Sequence, residues 1–386
     1  MNNDAAFLER RVRMAWKHAV SRSCGVLRFF GPPVAWRLIA AGFIAAHGAF
    51  VGTAAGAPST ASTAPAVSAT SAGSPTSASA SDSAASAASA ASAASAASAA
   101  SAASAASATS AASAAVAAAA SRAVALAAQL DPRDALRLRA RFATEVRRRL
   151  AVPADAQRAY GDRLQTELAV RGLGGLSRQY VVLVDRSANV QALFIYFRSD
   201  SSERWRMIGA TPVSTGLPGR YDHFLTPLGV FEHTPENMDF RAEGTTNENG
   251  IRGYGARDMR IFDFGWTSGE RGWGKGGTSP MRLQMHSTDP AKLEPLLGIR
   301  HSKGCVRIPA SLDAFLDRHG ILDADYEALA AAGNVVRVLR TERTATPWAG
   351  RYLVVVDSGR RARPAWSPGP GPAVRARMPD EADTAD

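Results

Sequence analysis

Apolar positions change their spacing several times along the chain, and each change predicts a different kind of element. Leu38 to Ala57 is an apolar run with no Asp, Glu, Lys or Arg, preceded by an Arg-rich stretch. From Ser59 to about Ala120 the chain is Ala, Ser and Thr with little else, and between Ser83 and Ser113 serine returns at every third residue. A three-residue serine period leaves no apolar stripe to bury, so this stretch is expected to sample extended and helical states as a disordered linker. Between 121 and 176, leucines, Phe142 and Val146 are spaced among arginines, and Asp131-Pro132 offers an N-cap followed by a helix-compatible proline. Two or three helices are expected there, the last following Val152-Pro153 and running to about Val170, before Gly172-Leu173-Gly174-Gly175.

After Gly175 the pattern becomes short β-rich runs divided by polar turns: Tyr180 to Val184, Leu193 to Phe197, and Arg204 to Ile208 leading into Val213-Ser214-Thr215-Gly216. These predict an antiparallel sheet. Phe262 to Pro280 holds six glycines and two tryptophans and reads as a mobile loop, either a lid or sugar platform or an insertion without structure. Ser311 to Gly320 is expected as a helix with Leu312, Phe315 and Leu316 on one face, Asn334 to Arg340 as a closing strand, and the Arg/Pro/Gly mixture beyond Gly359 as disordered.

Charge and cysteine usage alter this picture in two places. Of the formal net charge of +11, the first 37 residues carry seven Arg/Lys against two Asp/Glu, or +5, leaving +6 beyond them. A basic leader followed by an apolar run is the pattern of an export signal, and Ala55-Gly56-Ala57 has the small-x-small form of a processing site, with an uncleaved membrane anchor as the alternative. The remaining charge comes with no basic helix, aromatic-interleaved patch or zinc spacing, so no nucleic-acid partner is expected; an anionic polymer fits the charge equally well. Of the two cysteines, Cys24 precedes the apolar run, which leaves Cys305 without a partner after export. A lone thiol in an oxidising compartment is either buried and inert or used.

Cys305 sits in Arg300-His301-Ser302-Lys303-Gly304-Cys305-Val306-Arg307, nineteen positions after His286 in Met285-His286-Ser287-Thr288. A thiol attacks only as its thiolate, so it needs a base and N–H donors for the charge that develops on the substrate oxygen. His286 and Gly304 are of the types that supply them, and the Ser287 carbonyl is close enough in sequence to fix the imidazole tautomer. His286, His301 and Cys305 have no spacing that fits a zinc site, and neither metal nor cofactor is expected. His223 and His233 read as surface or packing residues.

At these residues the sequence resembles the L,D-transpeptidase catalytic domain of the YkuD type: a histidine, a spacer of under twenty residues, then Ser/Thr-His-Gly-Cys, an apolar residue and Arg. Pro212-Val213-Ser214-Thr215-Gly216 and Thr226-Pro227-Leu228-Gly229-Val230-Phe231 match two further blocks of that family, and the resemblance spans roughly Gln179 to Arg340. One departure is Lys303, which stands where the family usually has His; a cation there favours the thiolate but cannot shuttle a proton.

The resemblance implies a mostly β (α+β), sandwich-like fold and an exported cysteine acyltransferase acting on peptidoglycan stem peptides. Cys305 would be the nucleophile, His286 the base and later the acid, Ser287 its orienting carbonyl, and the N–H groups of Gly304 and Cys305 the oxyanion site. Arg307, Ser302, Lys303 and His301 are the candidates for contacting substrate or supporting the loop. A diaminopimelate amine, a protein lysine or water as acceptor would make it a cross-linker, a tethering enzyme or a carboxypeptidase; an inactive wall-binding module is the reading from a different class. The expected organisation is 1–57 signal or anchor, 58–120 linker, 121–176 helical segment, 177–345 catalytic domain, and 346–386 a C-terminal extension with a disordered tail.

Overall fold

The computed structural model describes residues 81–376. The expected signal or anchor at 1–57, Cys24, the first part of the expected linker, and the acidic end from 377 onward lie outside the described residues.

Helix α1 (Ser81–Gln129) occupies the part of the chain expected as a disordered linker. Alanine has the highest helix propensity of any residue, and over 49 residues that preference outweighs the lack of an apolar stripe. By length and composition Ser101–Gln129 is also apolar enough to cross a membrane. The C-terminal end of α1 is tied down: Ala119 and Ala127 are buried, and the Arg178 guanidinium donates to the carbonyls of Ala127, Ala128 and Leu130. Those carbonyls have no partner within a helix, and a cation is favourable at that end.

A 3-10 turn follows (Pro132–Arg137), with the Asp131 side chain accepting from the N–H of Arg133, then α2 (Leu138–Glu145) and α3 (Ala154–Val170). The first sheet starts with β1 (Tyr180–Asp185), β2 (Ala192–Phe197) and β3 (Arg206–Pro212). The second includes β4 (Phe224–Leu225), while β5 (Gly229–Glu232) returns to the first. β6 (Phe240–Arg241), β7 (Arg260–Arg271), β8 (Thr278–Ser287) and β9 (Val306–Ile308) complete the second sheet; α4 (Ala310–His319), α5 (Ala324–Ala331) and β10 (Tyr352–Val356) follow. The orders are β3-β2-β1-β10-β5 and β4-β7-β8-β9, with β6 on β7. The fold is α+β, a sandwich of two sheets with helices. Pairing is not all antiparallel, because β1 pairs with β10 and β8 with β9 in parallel.

The unbroken apolar runs of β1 and β2 follow from burial on both faces. Val182, Val184, Leu193, Ile195 and Phe197 meet Phe262, Leu283, Met285, Val306 and Ile308 of the other sheet. Val181, Leu183, Phe194 and Tyr196 point the other way, onto Tyr160, Leu164 and Leu168 of α3. Leu164 and Leu168 are fully buried, so cutting either to Ala costs about 2–5 kcal/mol.

Four local expectations change. The glycine-rich stretch is a long hairpin, β7 with β8, and only 272–277 form its turn. Asn334–Arg340 forms turns rather than the closing strand; Val335 is 87% exposed, and a strand needs a paired, half-buried setting more than β-branched residues. The strand in its place is β10, beyond the boundary expected at 345, between β1 and β5 in the first sheet. The stretch beyond Gly359 is ordered as far as Ala376: Trp366 packs against Tyr160 and Phe194, and Ser367 Oγ donates to the Val190 carbonyl at 2.7 Å.

Candidate active site

The parallel register of β8 and β9 places Met285 opposite Val306 and His286 opposite Arg307. Cys305, immediately before β9, therefore lies beside the end of β8, although nineteen residues separate it from His286. Cys305 is half-buried, with its Sγ 3.8 Å from the Arg282 carbonyl of β8.

His286 is buried, and its Nδ1 lies 2.6 Å from the Ser287 carbonyl. A carbonyl only accepts, so Nδ1 carries the hydrogen and the Nε2 lone pair is left as the proton acceptor. Burial, and then the charge of Arg307, push the imidazole down to about 3, against the opposing hydrogen bond to Ser287. The ring is neutral throughout the physiological range. The Tyr254 ring meets it edge-on at 4.7 Å, and Tyr254 Oη donates to Gln284 Oε1 at 3.0 Å.

The cysteine loop is held from both sides by the two upstream blocks. Ser214 and Arg307 exchange backbone hydrogen bonds, the N–H groups of His301 and Ser302 both donate to the Thr215 carbonyl, and Leu217 N–H donates to the Ser302 carbonyl. From the other side Phe224 N–H donates to the Lys303 carbonyl, and the Thr226 hydroxyl donates to the Gly304 carbonyl at 2.7 Å while accepting from Gly216 N–H at 2.9 Å. Gly304 has φ +140°, and a Cβ there would sit 2.8 Å from Met281 Cε. Its place is set by backbone conformation and crowding.

Two expected roles change at this loop. Gly304 N–H donates to Ser302 Oγ at 3.1 Å, so that donor is engaged inside the turn rather than held ready for a substrate oxygen. Ser302 in turn donates to the Cys305 carbonyl at 2.6 Å and is itself buried, which makes it a brace of the turn rather than a substrate contact. Arg307 is buried and donates through Nη1 to the His301 carbonyl at 2.6 Å, with His301 Nδ1 3.3 Å away. Of the two roles open to Arg307, these contacts are the loop-supporting one. His301, buried beside it, is pushed down to about 4 by burial and then by Arg307, Arg220 and His223. Lys303 is half-buried. His223 and His233 are buried packing residues, the latter with its Nδ1 on the Leu322 carbonyl and Nε2 on the Asp239 carboxylate. Among the described residues no three His, Cys, Asp or Glu side chains converge as metal ligands.

No protein-family model matches the chain, and no curated protein matches it. Among solved structures it is similar to a fused Zn-dependent amidase/peptidase/peptidoglycan-binding domain-containing protein from Clostridium acetobutylicum, at 9% identity and a TM-score of 0.22. That likeness covers 55% of this chain and 66% of the other, just under two thirds, and at that TM-score it carries no argument.

Several residues around the site were missed in the sequence. Asp313 of α4, fully buried, accepts from the backbone N–H of Arg260 through one oxygen and of Ser287 through the other, each at 3.1 Å. Burial pushes this carboxyl up to about 7, the two N–H groups oppose that, and Asp317 adds to it. Asp263 accepts from Arg282 Nε and Gln284 Nε2, both at 2.7 Å, at the bulge where β7 shifts register. Gln284 had a legible signal: it lies two positions before His286 on the same strand, and residues two apart share a face.

Proposed function

We propose that the chain is a cysteine acyltransferase of the L,D-transpeptidase type, acting on peptidoglycan stem peptides outside the cytoplasmic membrane. The observation that supports the reading is the parallel β8–β9 register, which pairs His286 with Arg307, two residues after Cys305, with the imidazole tautomer fixed by the Ser287 carbonyl. The basic leader and apolar run at 38–57 support export.

In the proposed reaction the Cys305 Sγ–H proton passes to His286 Nε2 while sulfur bonds to the stem-peptide carbonyl carbon that precedes a terminal D-residue. The developing oxyanion is assigned to the Cys305 N–H. Collapse breaks the C–N bond, the imidazolium returns its proton to the leaving amine, and a thioester remains. An acceptor amine then attacks the thioester carbonyl and expels the cysteine sulfur, which regains a proton. Burial and Arg307 hold the His286 imidazole in its neutral form, with Nε2 as the proton acceptor in the attack.

The test is covalent. Wild type incubated with wall tetrapeptide, or with a carbapenem, is expected to gain the mass of one acyl group and, with tetrapeptide, to release the terminal D-amino acid. Cys305→Ala should abolish the adduct without unfolding the chain, and His286→Ala should slow it by about two to four orders of magnitude. A diaminopimelate-type amine, a lysine peptide or water as the group that resolves the thioester distinguishes cross-linker, tethering enzyme and carboxypeptidase. Binding to wall fragments with no adduct and no release would replace this reading with a wall-binding module.

A further inference from the structure

We infer that Asp313 is the positioning residue of this site: its buried carboxylate fixes the backbone at His286–Ser287 and thereby the direction in which His286 presents Nε2. The inference rests on the proposed cysteine–histidine chemistry but not on the identity of the substrate.

The geometry is that of a two-point clamp. Ser287 N–H belongs to the peptide unit that joins His286 to Ser287, and it donates to one Asp313 oxygen at 3.1 Å; Arg260 N–H on the neighbouring strand donates to the other at 3.1 Å. One side chain of α4 thus holds β7 and β8 together at the residue that carries the imidazole. The His286 ring is oriented by its Nδ1 bond to the Ser287 carbonyl and by the edge-on Tyr254 ring, so a rotation of the His286–Ser287 backbone moves the Nε2 lone pair relative to Cys305. A carboxylate suits the task because both of its oxygens accept, whereas an amide of the same shape turns one oxygen into a donor facing an N–H. The charged groups facing Asp313 are Arg260 on β7 and Asp317 one turn further along α4, and what β8 presents to it is the backbone N–H of Ser287. Ser287 Oγ, which donates to the Tyr254 carbonyl at 3.2 Å, provides a weaker second hold on the same residue.

The test uses the full-length chain and needs no wall substrate. Nitrogen-15 spectra of the histidine rings, with His286 assigned by its loss in His286→Gln, should show a single neutral tautomer protonated on Nδ1 in wild type. Asp313→Asn should mix the tautomers and slow alkylation of Cys305 by iodoacetamide about tenfold at equal folded fraction. Asp317→Asn, on the same helix and also buried, should lower stability while leaving tautomer and alkylation rate as in wild type. Should Asp313→Asn fail to fold, the wild-type chain still decides. Between pH 5 and 9, where His286 itself stays neutral, the Ser287 amide proton and the His286 ring nitrogens should shift with one shared midpoint. An unchanged tautomer and alkylation rate in Asp313→Asn, or a Ser287 amide that titrates while the His286 ring stays flat, overturns the inference. Failure of wild type to form an acyl adduct would count against the proposed function and leave these readouts intact.

Discussion

Replacing Gly304 with Ala tests whether the turn before Cys305 is as rigid as its bonding implies. At φ +140° any side chain meets an unfavourable backbone region, which costs about 1–3 kcal/mol. The added methyl would also lie 2.8 Å from Met281 Cε and 3.1 Å from Phe224 Cβ. The first contact is with the mobile end of a long side chain and relaxes; the second is with a Cβ fixed by its own backbone, whose N–H is bonded to the Lys303 carbonyl. Overpacking of this kind costs about 1–3 kcal/mol, so the whole change should come to about 2–6 kcal/mol. Urea unfolding should show a lower midpoint with an unchanged slope. A double-mutant cycle checks which contact matters: because the Met281 end relaxes, in a Met281→Ala background the cost of Gly304→Ala should stay within about 0.5 kcal/mol of its wild-type value, the backbone strain and the Phe224 contact remaining. Alkylation of Cys305 should slow as well, because the turn carries the thiol. A Gly304→Ala cost within about 0.5 kcal/mol of zero, or one that Met281→Ala largely removes, would refute this account of the turn.

Two further outcomes follow from the same loop. Thr226→Val keeps shape but leaves buried Gly216 N–H and Gly304 carbonyl without the hydroxyl that joins them, so it should cost about 2–4 kcal/mol in urea unfolding, with Thr226→Ser near wild type. His286 and His301 are pushed down in the folded state to about 3 and about 4, so between there and their unfolded value near 6.5 the unfolded chain binds more protons and stability falls as pH falls. Asp313, pushed up to about 7, acts in the opposite direction over part of that range. The clean measurement is therefore a difference: His301→Gln should reduce the dependence of stability on pH by about one proton between pH 4 and 6.5, and an identical dependence in both proteins would contradict a buried neutral His301.

The parts of the molecule that were legible are those in which local pattern and final environment agree. β1 and β2 are unbroken apolar runs because both faces are covered, and the helix after the cysteine ends at Gly320 because that residue adopts a left-handed conformation. The β7–β8 hairpin was hidden by its glycines, which have strand-specific reasons: a Cβ on Gly269 would lie 2.5 Å from Met281 Sδ, and Gly265 sits at φ +78° in the bulge. At the site, the Cys305 motif, His286 and the Ser287 carbonyl could be read from spacing and family resemblance. The engagement of Gly304 N–H by Ser302, and the parts played by Asp313 and Thr226, could not. Asp313 and Thr226 act through contacts 26 and 78 residues apart in sequence, which no local pattern encodes, and the two-residue Gly304–Ser302 bond forms only in the turn those contacts hold.

The position of β10 bears on how the protein is made. Among the described residues β5 has no neighbour in its sheet except β10, and one edge of β1 is covered by no other strand, yet β10 comes from residues 352–356. A chain emerging from its N-terminus holds Cys305 and His286, the candidate nucleophile and base, well before it holds the strand that joins the sheet. Until then it presents an open and largely apolar edge, the kind of surface on which other chains add strands. Synthesis interrupted anywhere between Cys305 and Tyr352 therefore yields a polypeptide with every candidate catalytic residue and an unfinished sheet, prone to aggregate rather than to act.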